Sequence, residues 1–232
     1  IIWLECTSQT QPFGFQGDFT DDRDVLVIDS ESSKIIKTKT YLDANNIKIQ
    51  NGSYTISEEG SLMGKLKSTS KGLQYDWEQV KERLSKEDQI KGYYQEFSNI
   101  NNLRLIDIKI SNNKKDIEFI QELELKATGY AQNLNGKMIF ALNAFSQNSF
   151  VPKKYKNREF PFEIQRGYVD EDTIEITIPE GYSIEAKPNN IVLNTEFGIY
   201  EILIENTDIN KLIYKRKLII NTGYYENLKF EQ

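Results

Sequence analysis

Most of this chain alternates apolar and polar residues with a period of two. The pattern is clearest in residues 106–110, 117–127, 174–178, 199–204 and 212–220. Successive side chains of a β-strand point to opposite faces, so this period buries one face and leaves the other in water. Many short strands separated by Gly, Pro and Asn turns favour an all-β-dominated fold, and we predict an antiparallel β-sandwich.

One segment, at about residues 76–97, has helical spacing instead. Asp76 is a plausible N-cap there. Ser85 followed by Asp88 is typical of a second helix start, so one long helix and two short helices both fit. The apolar residues at helical spacing are Trp77, Val80 and Leu84.

The step Asn51-Gly52 leaves one strand assignment open. Ile47 and Ile49 alternate before it, and Tyr54 and Ile56 alternate after it. Asn-Gly is a strong hairpin signal, but glycine also marks a kink in a continuous strand. The sequence therefore fits either a hairpin or one long strand.

The chain contains no histidine, one cysteine and a net charge of −6. The absence of histidine excludes Ser-His-Asp, Cys-His and His-ligated zinc chemistry within this chain. The lone Cys6 excludes an intrachain disulfide and a site with several cysteine ligands. An acidic chain without a long Lys/Arg run is not expected to bind nucleic acid, and no apolar run approaches the roughly 18 residues of a membrane helix. We therefore expect a soluble, globular protein that needs no cofactor.

The first 40 residues differ in character from the rest. Residues 1–4 begin the chain as a short apolar strand without a starting Met, which suggests a fragment or a processed product. A polar loop follows, and residues 25–28 and 34–37 are predicted to be two strands around a turn.

Residues 3–28 resemble the end of the catalytic core of bacterial transglutaminase-like proteins. The resemblance depends on Trp3-Leu4-Glu5-Cys6-Thr7, on Pro12-Phe13-Gly14-Phe15, and on the run from Gly17 to Val27. Proteins of that family have a papain-like core flanked by two β-rich domains of unknown function. Their Trp-x-Asp-x-Thr motif follows the catalytic His, and its carboxylate orients the imidazole that activates a cysteine. Glu5 occupies the carboxylate position here and is one methylene longer than Asp.

The resemblance implies the following organisation. Residues 1–40 would be the tail end of an α+β transglutaminase-like core, and residues 41–232 a C-terminal β-sandwich domain of unknown function. The nucleophilic Cys and the His would lie upstream, so the partners would be the catalytic core and the N-terminal domain of the same polypeptide. The location implied is the periplasm or the outer surface of a bacterium.

Asp18, Asp21, Asp22 and Asp24 are a weak calcium candidate, because Ca²⁺ prefers carboxylate oxygens. The alternative is a solvated turn in which aspartates cap backbone amides. The spacing lacks the EF-hand pattern, so the solvated turn is the favoured interpretation and no metal site is predicted.

Arg166 and Arg216 are candidates for contact with a substrate or partner. Each shares the parity of neighbouring apolar residues, so strict alternation places both on apolar faces. A buried guanidinium needs a carboxylate, and a structural ion pair is the favoured alternative to an anion site. The acidic run 170–172 and the Lys-rich residues 146–161 are predicted to be a hairpin turn and a long connection.

Two functions follow from these features. The first is a non-catalytic part of a transglutaminase-like cysteine acyl-transfer or protease-like envelope protein, with a structural or substrate-positioning role. The chain alone is then not an enzyme. The second is a stand-alone bacterial surface module that binds glycan or protein, which predicts a cluster of exposed aromatic rings.

Overall fold

The computed structural model of the chain describes residues 1–148 and 158–230, and strands dominate it. Strands account for 44% and helices for 13%, which confirms the prediction of an all-β-dominated fold. The strands are β1 (Asp24–Val27), β2 (Lys34–Lys37), β3 (Ile47–Ile56), β4 (Leu62–Lys71), β5 (Leu103–Asn113), β6 (Glu118–Ala127), β7 (Gln132–Leu134), β8 (Lys137–Ile139), β9 (Phe162–Ile164), β10 (Tyr168–Thr177), β11 (Ile191–Thr195), β12 (Gly198–Asp208), β13 (Lys211–Ile220) and β14 (Gly223–Tyr225). The helices are α1 (Leu73–Glu78) and α2 (Lys86–Glu96), and 3₁₀ turns span Asp43–Asn45, Gln79–Arg83 and Asn227–Lys229.

Eight strands form one sheet in the order β11-β12-β13-β10-β3-β4-β6-β5. All neighbouring pairs are antiparallel except β10 and β3, which run parallel. The sheet therefore consists of two antiparallel four-stranded halves, from residues 47–127 and 168–220, joined along that parallel pair. The other described strands form the two-stranded sheets β1–β2, β7–β8 and β9–β14.

The two faces of the large sheet differ in polarity. Buried and more exposed residues alternate along β4 and β6, as the period of two predicts. The inner face carries the main apolar core, which includes Tyr54, Leu125 and Ile176. The outer face carries exposed cross-strand ion pairs such as Lys67–Glu122, at 3.2 Å. An exposed pair is worth about 0–1 kcal/mol, whereas a fully buried Leu or Ile is worth about 1.5–3 kcal/mol, so the inner face supplies most of the stability.

A second layer of helix, loop and short strands covers the inner face. The rings of Tyr93 and Phe97 stack with their centroids 6.4 Å apart. Phe145 packs edge-on against both Phe97 and Tyr54, and Met138 of β8 also packs on the core. The arrangement is consistent with an all-β sandwich, with eight of its strands in one layer.

The Asn51-Gly52 step lies inside one continuous strand, β3. Gly52 is opposite Leu66 on one side and Ile174 on the other. A Cβ at this position would lie 2.7 Å from the carbonyl oxygen of Lys65. The glycine is therefore required by the close approach of neighbouring strands and not by a turn.

Two short helices occupy the predicted helical segment. Ser85 caps α2, because its Oγ accepts a hydrogen bond from the Asp88 amide at 3.1 Å. The prediction that Asp76 is an N-cap is wrong, since α1 begins at Leu73 and follows Gly72, whose φ is +60°. The predicted apolar face is also wrong in its first part, because a 3₁₀ turn follows α1 and changes the period from 3.6 to 3.0 residues. The exposed residues there are Trp77, Val80 and Leu84.

The sequence also predicts that this apolar face continues at Ile90, Tyr93, Tyr94 and Phe97. Tyr93 and Phe97 are buried and Ile90 packs on the core, whereas Tyr94 is exposed.

A second apolar cluster attaches the N-terminal residues to the sheet. Phe15 and Tyr41 pack there with Leu73, Tyr75 and Phe119. The rings of Phe15 and Tyr75 meet edge-on with centroids 5.3 Å apart. Part of the predicted first domain is therefore packed against the second, and the boundary at residue 40 stays a prediction.

Two further predictions concern the chain outside this core. Within the described residues, no helix is long and apolar enough to cross a membrane. The predicted connection lies largely outside the described residues, including its Lys153, Lys154 and Lys156.

Candidate functional site

Glu5, the predicted orienting acid, lies among threonine hydroxyls. Thr7 donates its backbone N–H, at 3.2 Å, and its hydroxyl, at 2.5 Å, to Glu5 Oε1. The Thr20 hydroxyl donates to Oε2. Partial burial raises the pKa of Glu5, but the hydrogen bonds from Thr20 and Thr7 lower it below its usual value. An ionised, oriented carboxylate is what a neighbouring imidazole requires.

The same segment offers no activated nucleophile. Cys6 is a free, exposed thiol, and its sulfur contacts the Leu4 carbonyl oxygen at 3.9 Å. Activation of a thiol requires a neighbouring base or positive charge, and the chain contains no histidine. The chain therefore holds a fixed carboxylate at Glu5 and no histidine of its own beside it.

Arg166 forms an ion pair with the most deeply buried of the four aspartates. Its Nε and Nη2 donate to Asp21 Oδ1 at 3.2 and 2.7 Å. Burial raises the pKa of Asp21 above its usual value, and this outweighs the lowering by Arg166. The pair links the residues before β1 to the segment before β10, and it is the kind of contact that the structural alternative predicts.

The four aspartates of the calcium candidate are not arranged around a common point where an ion could bind. Asp22 pairs with Lys37 at 3.0 Å, while Asp18 accepts a hydrogen bond from the Trp77 indole at 3.3 Å. Asp24 starts β1 and is exposed. No group of three or more His, Cys, Asp or Glu in residues 1–148 and 158–230 is arranged to hold a metal ion.

Arg216 lies on the inner face of the sheet, as its parity predicts. It is buried, and its Nε donates to Asp172 Oδ2 at 2.5 Å. Asp170 Oδ2 is 3.6 Å from its Nη2. The prediction that residues 170–172 form a hairpin turn is wrong, because they lie within β10. Their charge is tolerated inside a strand because the opposite strand supplies the arginine.

Arg216 and Asp172 belong to a polar row that crosses five neighbouring strands. In register, Arg216 lies opposite Asp172, which lies opposite Gln50 of β3. Gln50 lies opposite Ser68, and Ser68 opposite Gln121 of β6. All five residues are buried. We call this row the polar belt; it crosses the parallel junction between the two halves of the sheet.

Two lysines and two glutamates form a charged quartet against one end of the polar belt. Lys48 Nζ is 3.1 Å from Glu78 and 3.5 Å from Glu96. Lys81 Nζ is 2.6 Å from Glu78 and 3.0 Å from Glu96. The quartet is neutral overall, and Gln121 joins it to the belt by donating to Glu78 Oε2 at 3.1 Å.

The ion pairs of the quartet shift the pKa values of Glu78 and Lys48. Burial raises the pKa of Glu78, but Lys48 and Lys81 outweigh it and lower the pKa to about 2. Burial lowers the pKa of Lys48, but Glu78 and Glu96 raise it well above its usual value. Glu78 and Lys48 are therefore both charged at neutral pH, as the two partners of a partly buried ion pair.

A groove of 920 Å³ lies between β8 and residues 178–188. Met138, Ile184 and Leu212 are among the apolar side chains that line it. Lys137 and Glu185, also in its lining, form an ion pair at 2.7 Å. Small-molecule sites in proteins have volumes in this range and are lined mainly by apolar side chains.

The comparisons with known proteins concern this second half of the chain. Residues 136–232 match the family model DUF3858, described as a "Domain of Unknown Function with solved-structure structure". The match includes β8 to β14 and the lining of the groove, but not β3 to β6. No curated protein and no solved structure matches the chain.

Proposed function

We propose that this chain is a non-catalytic part of a transglutaminase-like cysteine acyl-transfer or protease-like protein of a bacterial envelope. In this proposal the chain has a structural or substrate-positioning role. Residues 1–40 complete the sheet of a core that supplies the catalytic Cys and His, and Glu5 orients the His.

The observation that carries the proposal is the exposed apolar surface of residues 1–40. Of the 24 large apolar side chains that are exposed in the described residues, eight lie in this segment. Leu26 and Ile35 face each other across the β1–β2 pair, and they are 62% and 72% exposed. Contiguous exposed apolar patches on soluble proteins mark interaction surfaces, and the Leu26–Ile35 pair is the part of the segment that supports packing against another protein domain. The eight residues are Ile1, Ile2, Leu4, Phe13, Phe19, Leu26, Ile28 and Ile35.

The position of Glu5 supports the same proposal. Its carboxylate is fixed by Thr7, the Thr of the Trp-x-Glu-x-Thr motif, and by Thr20. A carboxylate held in this way is pre-organised to accept a hydrogen bond from an imidazole N–H. In the acyl-transfer reaction a Cys thiolate attacks an amide carbon, the amine leaves with a proton from the His, and water or another amine releases the acyl group.

The alternative is a stand-alone surface module that binds glycan or protein. It is favoured by the packing of Phe15 and Tyr41 against the sheet. Against it, no ring pair in the described part of the chain involves any of the six exposed rings, which are Phe13, Phe19, Trp77, Tyr94, Phe160 and Tyr224. Exposed rings that do not cluster offer little stacking surface for a sugar.

The proposal is tested first on the gene and on the purified chain. The reading frame upstream of Ile1 is expected to encode a Cys that opens a helix and a His shortly before Trp3. The purified 232-residue chain is expected to show no amide hydrolysis or transamidation. Activity of this chain alone, or the absence of either upstream residue, overturns the proposal.

The role of Glu5 is tested in the polypeptide that carries the core. Glu5→Gln is expected to lower kcat by roughly 10²–10⁴-fold with little change in KM, since it removes the charge that supports the base. Glu5→Asp supplies the family residue and is expected to retain activity. Glu31→Gln, in an exposed turn, is the matched control. Equal kcat for Glu5→Gln and the control would refute the assigned role.

A further inference from the structure

The two edges of the eight-stranded sheet are built differently. The edge strand β5 carries Arg104, Asp107 and Lys109, and its pairing with β6 is interrupted by a bulge between Leu105 and Asp107. Charged side chains and bulges are the devices by which proteins prevent an edge from pairing with another strand. The β5 edge is therefore protected.

The opposite edge strand, β11, lacks both devices. Its sequence is Ile191-Val192-Leu193-Asn194-Thr195, and all five residues are exposed. Among the described strands of five or more residues, β11 has no charged side chain, whereas every other one does. Its pairing with β12 is regular over its whole length. Its outer edge pairs with no other described strand.

We infer that the β11 edge is an interaction surface for a second copy of this chain. Two β11 strands would pair antiparallel about a two-fold axis and join two eight-stranded sheets. The strand is self-complementary, because it is neutral and its apolar side chains extend from both faces. Val192 lies in register with Glu201 on the outer face, and Leu193 with Tyr200 on the inner face. A two-fold contact of this kind closes after two copies.

A second copy fits this edge better than a charged peptide does. Ile191, Val192 and Leu193 are 41%, 68% and 57% exposed, so a partner strand must offer apolar side chains to both faces. β11 itself meets this requirement. Main-chain hydrogen bonds supply affinity in such strand addition, and the alternating side chains supply specificity.

The test is the oligomeric state of the 232-residue chain by sedimentation over a wide range of concentrations. We expect a reversible dimer that Val192→Lys weakens roughly tenfold or more, because each dimer then brings two ammonium groups together. The introduced ammonium group would lie opposite Glu201 within its own copy, so the variant monomer is expected to keep its fold. Ile209→Lys, at a 77% exposed position in the β12–β13 turn, is the control and is expected to dimerise normally.

Hydrogen exchange of the wild-type chain gives a second measurement that does not depend on a variant. The outward-pointing N–H groups of β11 are expected to gain protection as concentration rises. A monomer at all concentrations overturns the inference. A dimer that resists Val192→Lys, or one that Leu26→Lys abolishes, also overturns it and assigns the contact to another surface.

Discussion

Glu78→Gln tests whether the charged quartet stabilises the fold. The pKa of Glu78 falls from 4.5 to about 2 in the folded chain. One pKa unit corresponds to about 1.4 kcal/mol, so the ionised form of Glu78 contributes about 3 kcal/mol at neutral pH. The substitution also leaves Lys48 and Lys81 with Glu96 as their shared partner. Removal of one partner from a buried pair costs about 3–5 kcal/mol, in agreement with this value.

The effect of Glu78→Gln must depend on pH with a definite sign. A carboxyl group with a lowered folded pKa stabilises the protein above its unfolded pKa, and this stability is lost as the pH falls through the folded value. The difference between wild type and variant should therefore be about 3 kcal/mol at neutral pH. It should shrink between the ordinary pKa of 4.5 and the folded value of about 2.

The assay is urea denaturation followed by circular dichroism at neutral pH and at low pH. Glu122→Gln is the matched control, because Glu122 pairs with Lys67 on the outer face with half its side chain exposed. The control is expected to lose about 0–1 kcal/mol. A loss below about 1 kcal/mol for Glu78→Gln at neutral pH, or an equal loss at both pH values, would refute the electrostatic argument.

Three other substitutions test separate parts of the fold. Arg166→Met leaves Asp21 buried without its partner and is expected to lower the free energy of unfolding by about 3–5 kcal/mol, measured by urea denaturation. A decrease under about 1 kcal/mol would show that the ion pair does not hold the N-terminal segment. Leu125→Ala creates a cavity in the main core and should lower the free energy of unfolding by about 2–5 kcal/mol, which is measured as a lower urea concentration at the unfolding midpoint. Gly198→Ala would place a Cβ 1.8 Å from the Ile219 carbonyl oxygen at a φ of +151°, and should expose β11 and β12 to faster hydrogen exchange.

The sheet could be predicted from the sequence because period-two alternation reports directly on burial. Ile174 and Ile176 face inward, as the alternation indicates. The order of the strands could not be predicted in this way. The parallel pairing of β3 with β10 depends on contacts between residues more than a hundred positions apart, and local patterns contain no information on such contacts.

The prediction of the apolar face failed at Trp77, Val80 and Leu84 because periodicity in the sequence does not show where the helix type changes. The assignment of residues 170–172 failed for a different reason. Acidic residues in sequence suggest a turn, but Asp170 and Asp172 continue the inward parity of Ile174. Arg216, also predicted to face inward, shares that face and is the basic partner that two inward aspartates require. In both strands a charged residue takes a position where alternation predicts an apolar one. Had these positions been considered together, the sequence would have predicted a buried ion pair between Arg216 and the aspartates of β10.

Glu5 could be selected because a local motif surrounds it. Lys48, Glu78 and Glu96 could not, because they come from three separate elements and nothing in their local sequence marks them. Their only sequence signal is a lysine at the inward parity of β3. Sites assembled from distant positions require the fold before they can be recognised.

The polar belt crosses the junction between the two halves of the sheet. The DUF3858 match covers the half with β10 to β13 and stops short of the half with β3 to β6. Asp172 and Gln50 meet across that junction in register, and Gln74 Nε2 of α1 donates to Asp170 Oδ1 at 3.0 Å. A slip of one residue would turn these polar side chains outward and bring Glu171 and Thr173 into the core, because side chains alternate strictly along a strand. The same slip would turn Ile174 and Ile176 out of the core, so burial of one face already specifies the register, and the pairing of Asp172 with Arg216 adds to that constraint.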